Sequence, residues 1–186
     1  EFIVANHIKV HPMALIEYKK QANKTKKQID DITFGYSDKT RFYVDKLADG
    51  IGKIASAFYP KEVILRFSDF KTNEYTGLKG GEKYEPVENN PMIGYRGASR
   101  YIKEPDLFKL EIEAITKVRD EYDLKNLWLM IPFVRTVEEM KKVKRLVEDN
   151  GLVQSPDFKL WMMCEIPSNV ILLDQFLDVG IDGISI

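Results

Sequence analysis

Four short apolar runs constrain this chain more than anything else in it. They are Val63-Ile64-Leu65-Arg66-Phe67, Leu127-Trp128-Leu129-Met130-Ile131, Leu160-Trp161-Met162-Met163-Cys164 and Gly183-Ile184-Ser185-Ile186. Runs this short, with few polar residues and bounded by turn-formers, read as buried strands. Between them the apolar period switches to that of a helix. Val44, Leu47, Ile51, Ile54, Ala55 and Phe58 mark a helix over 40–58, which Pro60 ends. Pro105 opens another, with Leu107, Leu110, Ala114 and Val118 as its inner stripe. Thr136 with Glu139 forms a capping box for a helix carrying Met140, Val143, Leu146 and Val147, which Gly151 closes. Ser168 is placed to cap a helix with Leu172, Leu173, Phe176 and Leu177, and Pro12 to start one running to about Ile29.

Strands alternating with helices predict an α/β fold with a parallel sheet covered on both faces. A doubly wound sheet and a TIM (β/α)8 barrel both fit. A barrel takes about 250 residues, so this chain of 186 residues would supply five or six of its βα units. No repeat or composition break divides it, and residues 1–186 read as one domain. Both ends read as cut, since the chain opens in an apolar stretch and closes on a strand.

Composition narrows the function. With 44% hydrophobic and 31% charged residues the chain is no disordered tail. A net charge of −1 gives no global reason to expect nucleic acid or an anionic membrane as partner. No apolar run approaches the ~20 residues of a membrane span, and Glu1-Phe2-Ile3-Val4 lacks the basic start of a signal peptide. The single cysteine, Cys164, excludes an internal disulfide and suits a reducing cytoplasm.

In parallel α/β folds the chemistry sits where strands end. Arg66 lies at the end of an apolar strand and must face a carboxylate, a phosphate or the barrel mouth. Its structural alternative is an ion pair, with Asp69 as the partner at hand. Glu165 follows Met162-Met163-Cys164 and is placed to ligate Mg2+ or move protons. Its alternative is to stabilise the start of the next helix. Arg96 stands in Gly94-Tyr95-Arg96-Gly97, where glycines would let the backbone approach a ligand, or would simply make a turn.

Elsewhere the residues read as structural. His7 and His11 lack the acidic neighbour of a metal motif, Cys164 reads as core, and Trp128 and Trp161 as strand residues packing against helices. Lys141, Lys142, Lys144 and Arg145 read as a solvated helix face. Gly50 to Ala55 falls inside a helical stripe and is no dinucleotide loop. The stretch from Ser68 to Gly94 shows little periodicity, and a loop that long is functional or disordered.

Four ordered blocks carry a family resemblance. They are Leu65-Arg66-Phe67-Ser68-Asp69-Phe70-Lys71-Thr72-Asn73-Glu74-Tyr75, the run from Asn90 to Tyr101, Met130-Ile131-Pro132-Phe133-Val134-Arg135-Thr136, and Met162-Met163-Cys164-Glu165-Ile166-Pro167-Ser168-Asn169. In order and spacing they resemble the phosphoenolpyruvate synthases, a branch of the PEP-utilising enzyme family, over essentially the whole chain. Pyruvate phosphate dikinase and enzyme I of the sugar phosphotransferase system match more loosely around Ser68 to Glu74.

The resemblance implies a partial TIM barrel that binds pyruvate and phosphoenolpyruvate. It also implies two further domains in the parent, one binding ATP and one carrying a phosphohistidine. The reaction implied is ATP + pyruvate + water to AMP + phosphoenolpyruvate + phosphate, a step of gluconeogenesis. By the same resemblance Arg66 binds the phosphoryl group, Arg96 is a second arginine near it, and Glu165 ligates Mg2+. Asn73, Glu74 and Arg135 lie in matching blocks without an assigned role. Glu1-Phe2 is similar to the end of an R-x-E-F segment on the first barrel strand. Ile186 is similar to the residue before a G-S-N-D segment, with a proton-donating cysteine still further on; Cys164 does not match it. The chain by itself is therefore not expected to turn over. An incomplete barrel exposes sheet edges, so the rest of the chain or a neighbouring copy is expected to cover them, and a homo-oligomer is expected. The competing readings are a pyruvate phosphate dikinase barrel and a non-catalytic barrel-like binding or assembly protein.

Overall fold

The computed structural model describes every residue from Glu1 to Ile186. Its centre is a parallel sheet of β1 (Val63–Arg66), β2 (Leu127–Ile131), β3 (Leu160–Met163) and β4 (Gly183–Ser185), in the order β1-β2-β3-β4. Each strand lies beside its successor in the chain, and the order never reverses. A doubly wound sheet requires such a reversal, and part of an α/β barrel does not; the order is consistent with a partial α/β barrel. The sheet holds four strands, not five or six units. The Ala5 N–H donates to the Glu1 carbonyl at 2.8 Å, and a π-helical turn, Val4–Ile8, follows directly.

The register sorts the strand residues onto two faces. Ile64 pairs with Trp128, Arg66 with Met130 and Met130 with Trp161, so these side chains share a face with Met163. The other face carries Leu127, Leu129, Ile131, Leu160 and Met162, all at 1% exposure or less. The helical layer therefore covers one face, not two. Trp128 and Trp161 do not pack into that layer, because alternation along β2 and β3 turns them to the open face, where both are half-buried. Trp161 lies against Gly183, where an added Cβ would come within 2.7 Å of the indole. Cys164 lies past the end of β3 and is half-buried, not core.

The helices begin where their caps dictate. Asp38 accepts the Thr40 and Arg41 N–H groups and opens α3 (Lys39–Phe58). In the segment ahead, α1 (Pro12–Ile16) and α2 (Asn23–Ile32) replace the single helix expected from Pro12. Long-range bonds hold the break: Tyr18 donates to Asp30, and Gln21 to the Tyr84 hydroxyl at 2.6 Å. Two short helices, α4 (Thr72–Thr76) and α5 (Ala98–Lys103), precede α6 (Pro105–Asp120), which packs along α3. Thr136 caps α7 (Val137–Asp149) by accepting the Glu139 N–H, while the Glu139 carboxylate reaches back to the Arg135 N–H. The last two helices are α8 (Pro167–Ile171) and α9 (Leu173–Leu177). Ser168 does not cap α8, which starts one residue earlier. Asn169 Oδ1 takes the Glu165 and Ile166 N–H groups instead, and Ser168 donates to the Arg135 carbonyl. No helix is long and apolar enough to cross a membrane.

Candidate functional site at the strand ends

Arg66, the last residue of β1, points from the open face toward the C-terminal end of the sheet. Its Nη1 lies 3.8 Å from the Met163 sulfur on β3, and its Nη2 donates to Glu1 Oε2 at 2.5 Å. The side chain is 35% exposed, so the guanidinium keeps a solvent-facing side. It does not pair with Asp69. That carboxylate lies past the strand end, buried, and another arginine already holds it.

That arginine is Arg96. Its Nε and Nη2 donate to the two Asp69 carboxylate oxygens at 2.9 and 2.5 Å, and its Nη1 donates to the Met92 carbonyl at 2.9 Å. The fork-to-fork match of guanidinium and carboxylate is the strong form of such a pair. The hydrogen bonds that Arg96 donates to Asp69, set against partial burial, hold the guanidinium even more firmly charged than usual. Its carbon lies 4.3 Å from the centre of the Phe133 ring, and the Arg135 guanidinium lies 4.6 Å from the same ring.

The glycines around Arg96 serve the protein's own backbone. Gly97 has φ +59°, and a Cβ there would meet Pro132 O at 2.7 Å and Phe133 Cβ at 2.6 Å. The loop is thus pressed against the end of β2. At Gly94 the space of a side chain is filled by the Glu88 carboxylate, which accepts the Tyr95 N–H at 2.9 Å.

Glu165 follows β3 and is exposed. One carboxylate oxygen accepts the Phe133 N–H at 2.8 Å, which fixes Phe133 in a left-handed conformation, φ +49°. The other oxygen accepts no hydrogen bond from the chain. Glu165 does not bond the first N–H groups of α8; Asn169 takes up the backbone there.

Arg66, Arg96 and Glu165 are therefore brought to one end of the sheet, joined through Glu1, Asp69 and Phe133. Glu1 links the two arginines, because its second oxygen accepts the Asp69 N–H at 2.8 Å. Sequence reasoning missed Asp69 as the partner of Arg96, Phe133 as the shared platform, and the part Arg135 plays. The Arg135 guanidinium donates to Ser99 Oγ and to the Gly94 carbonyl, clamping the arginine loop. The only advance signal was that all three fall in the four matching blocks.

The aperiodic stretch from Ser68 to Gly94 is folded around carboxylates. Glu85 receives Arg100 Nη1 and Nη2 at 2.7 and 2.8 Å and His11 Nε2 at 2.9 Å, all buried. His11 Nδ1 accepts the Met13 N–H, so both ring nitrogens of this histidine are engaged. Arg100 also donates to the Tyr95 carbonyl at 3.0 Å and so steadies the residue before Arg96. A polar cavity of about 660 Å³ lies apart from these residues, between Gln21–Gln28 and Thr76–Lys83.

The arrangement is chemically definite. At the mouth of the parallel sheet Arg66 keeps a solvent-facing guanidinium able to meet an oxyanion and Glu165 an exposed carboxylate, while the Arg96 fork beside them is buried and taken up by Asp69. No three His, Cys, Asp or Glu side chains gather into a ready cage for a metal. A single exposed carboxylate does fit Mg2+, which keeps several waters and takes ligands from its substrate.

Comparison with known proteins defines the class. Residues 17–186 match the family model described as PEP-utilising enzyme, PEP-binding domain, and the chain belongs to that family. Among relatives, it is 51% identical over its whole length to a phosphoenolpyruvate synthase of Deinococcus radiodurans and 48% identical to one of Escherichia coli. It is 49% identical to a probable phosphoenolpyruvate synthase of Staphylothermus marinus. The chain spans 20% to 24% of the length of these relatives.

Proposed function

We propose that residues 1–186 form the pyruvate- and phosphoenolpyruvate-binding barrel domain of a phosphoenolpyruvate synthase. The observation that carries this reading is the convergence of Arg66, Arg96 and Glu165 at the C-terminal end of the sheet. The relatives are named phosphoenolpyruvate synthases, and the resemblance to that family implies the reaction. A phosphohistidine on another domain loses its phosphoryl group to the enolate oxygen of pyruvate: the N–P bond breaks, the new O–P bond forms, and the proton lost by the pyruvate methyl group passes to the thiolate of the cysteine that the resemblance places beyond Ile186.

Arg66 binds the phosphoryl oxygens, where its delocalised charge meets the charge that builds up during transfer. Arg96, buried and paired with Asp69, is the second arginine near the same group; with its fork spent on Asp69 it acts by holding that loop in place. Glu165 would hold Mg2+ through its free oxygen. The ion supplies charge stabilisation for the enolate when bound. Phe133, locked by Glu165, keeps Arg96 and Arg135 spaced at the rim. The ATP-binding and phosphohistidine domains are the partners this reading requires, in a cytoplasmic homo-oligomer.

The test uses the full-length protein. Arg66→Ala and Glu165→Gln should each remove most synthase activity while the protein stays folded. Near-wild-type turnover in either purified variant overturns the site. Pyrophosphate formation dependent on added phosphate would overturn the synthase assignment in favour of a dikinase.

A further inference from the structure

Ser68 stands between Arg66 and Asp69, and both of its backbone groups are held by core side chains. Its N–H donates to Glu111 Oε2 at 3.0 Å, and its carbonyl accepts the Tyr101 hydroxyl at 2.5 Å. Tyr101 comes from α5 and Glu111 from α6, and both are buried, at 0% and 3% exposure. The segment that carries Arg66 and grips Arg96 is therefore clamped from behind at one residue, through the peptide units on both sides of it.

Glu111 is out of place as an anion. It accepts the Ser68 N–H, its Oε1 has no partner, and no lysine, arginine or histidine side chain pairs with it; the one positive group near it is the amino group of Glu1. A carboxylate so placed would bury a charge with no side-chain counter-ion, which is costly. The Tyr43 and Tyr75 hydroxyls are buried too and equally without partners. As an acid, Glu111 has complementary chemistry. Oε2 stays the acceptor for Ser68, and Oε1–H becomes a donor for a buried water that reaches a phenol oxygen, since Oε1 and the two phenols make no direct hydrogen bond with one another.

We propose that Glu111 is a positioning residue that works as a neutral acid: its carbonyl oxygen pins the Ser68 amide and thereby sets where Arg66 and the Asp69–Arg96 pair stand. Burial pushes its carboxyl above the usual range, in the same direction. The groups facing it are Tyr43 from α3, Tyr75 from α4, Tyr101 from α5, and the amino and carboxylate groups of Glu1. The effect on ligand affinity rests on the proposed function; the pinning of Ser68 does not.

The experiment compares Glu111→Gln with Glu111→Ala in the full-length protein. Glutamine keeps the acceptor oxygen and carries no charge. Two readouts are taken: hydrogen exchange at the Ser68 amide, and affinity for phosphoenolpyruvate with Mg2+. Glu111→Gln should match the wild type in both. Glu111→Ala should lose Ser68 protection and weaken binding by about 10- to 100-fold, the usual cost of losing an orienting outer partner. A Glu111→Gln variant as impaired as Glu111→Ala would show that the charge is needed and overturn the proposal. So would a Glu111→Ala variant with intact protection. Should Glu111→Ala fail to fold, Glu111→Gln decides alone, since only a neutral acid is replaced without loss. A wild type that ignores phosphoenolpyruvate would defeat the proposed function, while the exchange arm would still decide on Glu111.

Discussion

Asp69 and Arg96 meet edge to edge, carboxylate fork against guanidinium fork, at 2.9 and 2.5 Å, with the Asp69 side chain wholly buried. They stand 27 residues apart, one after β1 and the other before α5. The pair is the joint between the loop that ends the first strand and the loop that brings the second arginine.

Asp69→Ala should therefore cost both stability and binding. Removing one member of a buried pair costs about 3–5 kcal/mol, readable by urea unfolding. Arg96→Lys should not rescue function, because an ammonium cannot reproduce two parallel hydrogen bonds. Unchanged phosphoenolpyruvate affinity in a folded Asp69→Ala variant would show that Arg96 is held by its other contacts.

Gly97→Ala tests the close approach of the arginine loop to β2. The positive φ costs about 1–3 kcal/mol, and contact with Pro132 O at 2.7 Å adds to it. Gly151→Ala is the matched control, with φ +93° and nothing within 4 Å of an added Cβ. Gly97→Ala should lose more stability than Gly151→Ala and, unlike it, weaken ligand binding.

The Glu85 cluster predicts a pH dependence. Burial pushes the Glu85 carboxyl up, but hydrogen bonds from His11 and Arg100 and the Arg100 charge outweigh it, holding the group below its ordinary 4.5. A lowered carboxylate adds stability that is fully present above its unfolded value and is lost as pH falls through its folded value. The stability gap between wild type and Glu85→Gln should be constant above about pH 5 and shrink below about pH 4. A gap independent of pH in urea titrations would remove Glu85 as the source.

Asn126→Ala separates stability from function. Its side chain donates to the Ala55 and Lys61 carbonyls at 3.0 and 2.8 Å, at the start of the strands, away from the site. Stripping those bonds should cost about 1–3 kcal/mol and leave phosphoenolpyruvate affinity unchanged. Altered affinity would mean that strain travels the length of the sheet.

The strands were legible because burial leaves an unbroken apolar run, and Arg66 and Glu165 stood out as charges beside such runs. What covers the sheet was not legible. Trp128 and Met130 are as apolar as Leu127 and Leu129, and only pairing register separates the faces. The break between α1 and α2 was hidden for a related reason: no Gly or Pro marks it, and Tyr18–Asp30 and Gln21–Tyr84 hold it from a distance. Helix α5 was too short, at six residues, to show a period. The folding of 68–94 rests on single carboxylates, Glu85 and Glu88, which look like any surface acid in a sequence. Asp69 was seen, but assigned to the arginine nearest in sequence; only the fold shows which arginine it grips.

Trp128 and Trp161 are the chain's two tryptophans, and both lie on the uncovered face of the sheet. Their emission is thus a built-in gauge of that face. Anything that seats there, whether further strands of the same polypeptide or a second molecule, moves both indoles from a half-wet to a dry setting and shifts their fluorescence to the blue. Ligand capture by Arg66, which shares the face, would be sensed by the same two rings without an added label.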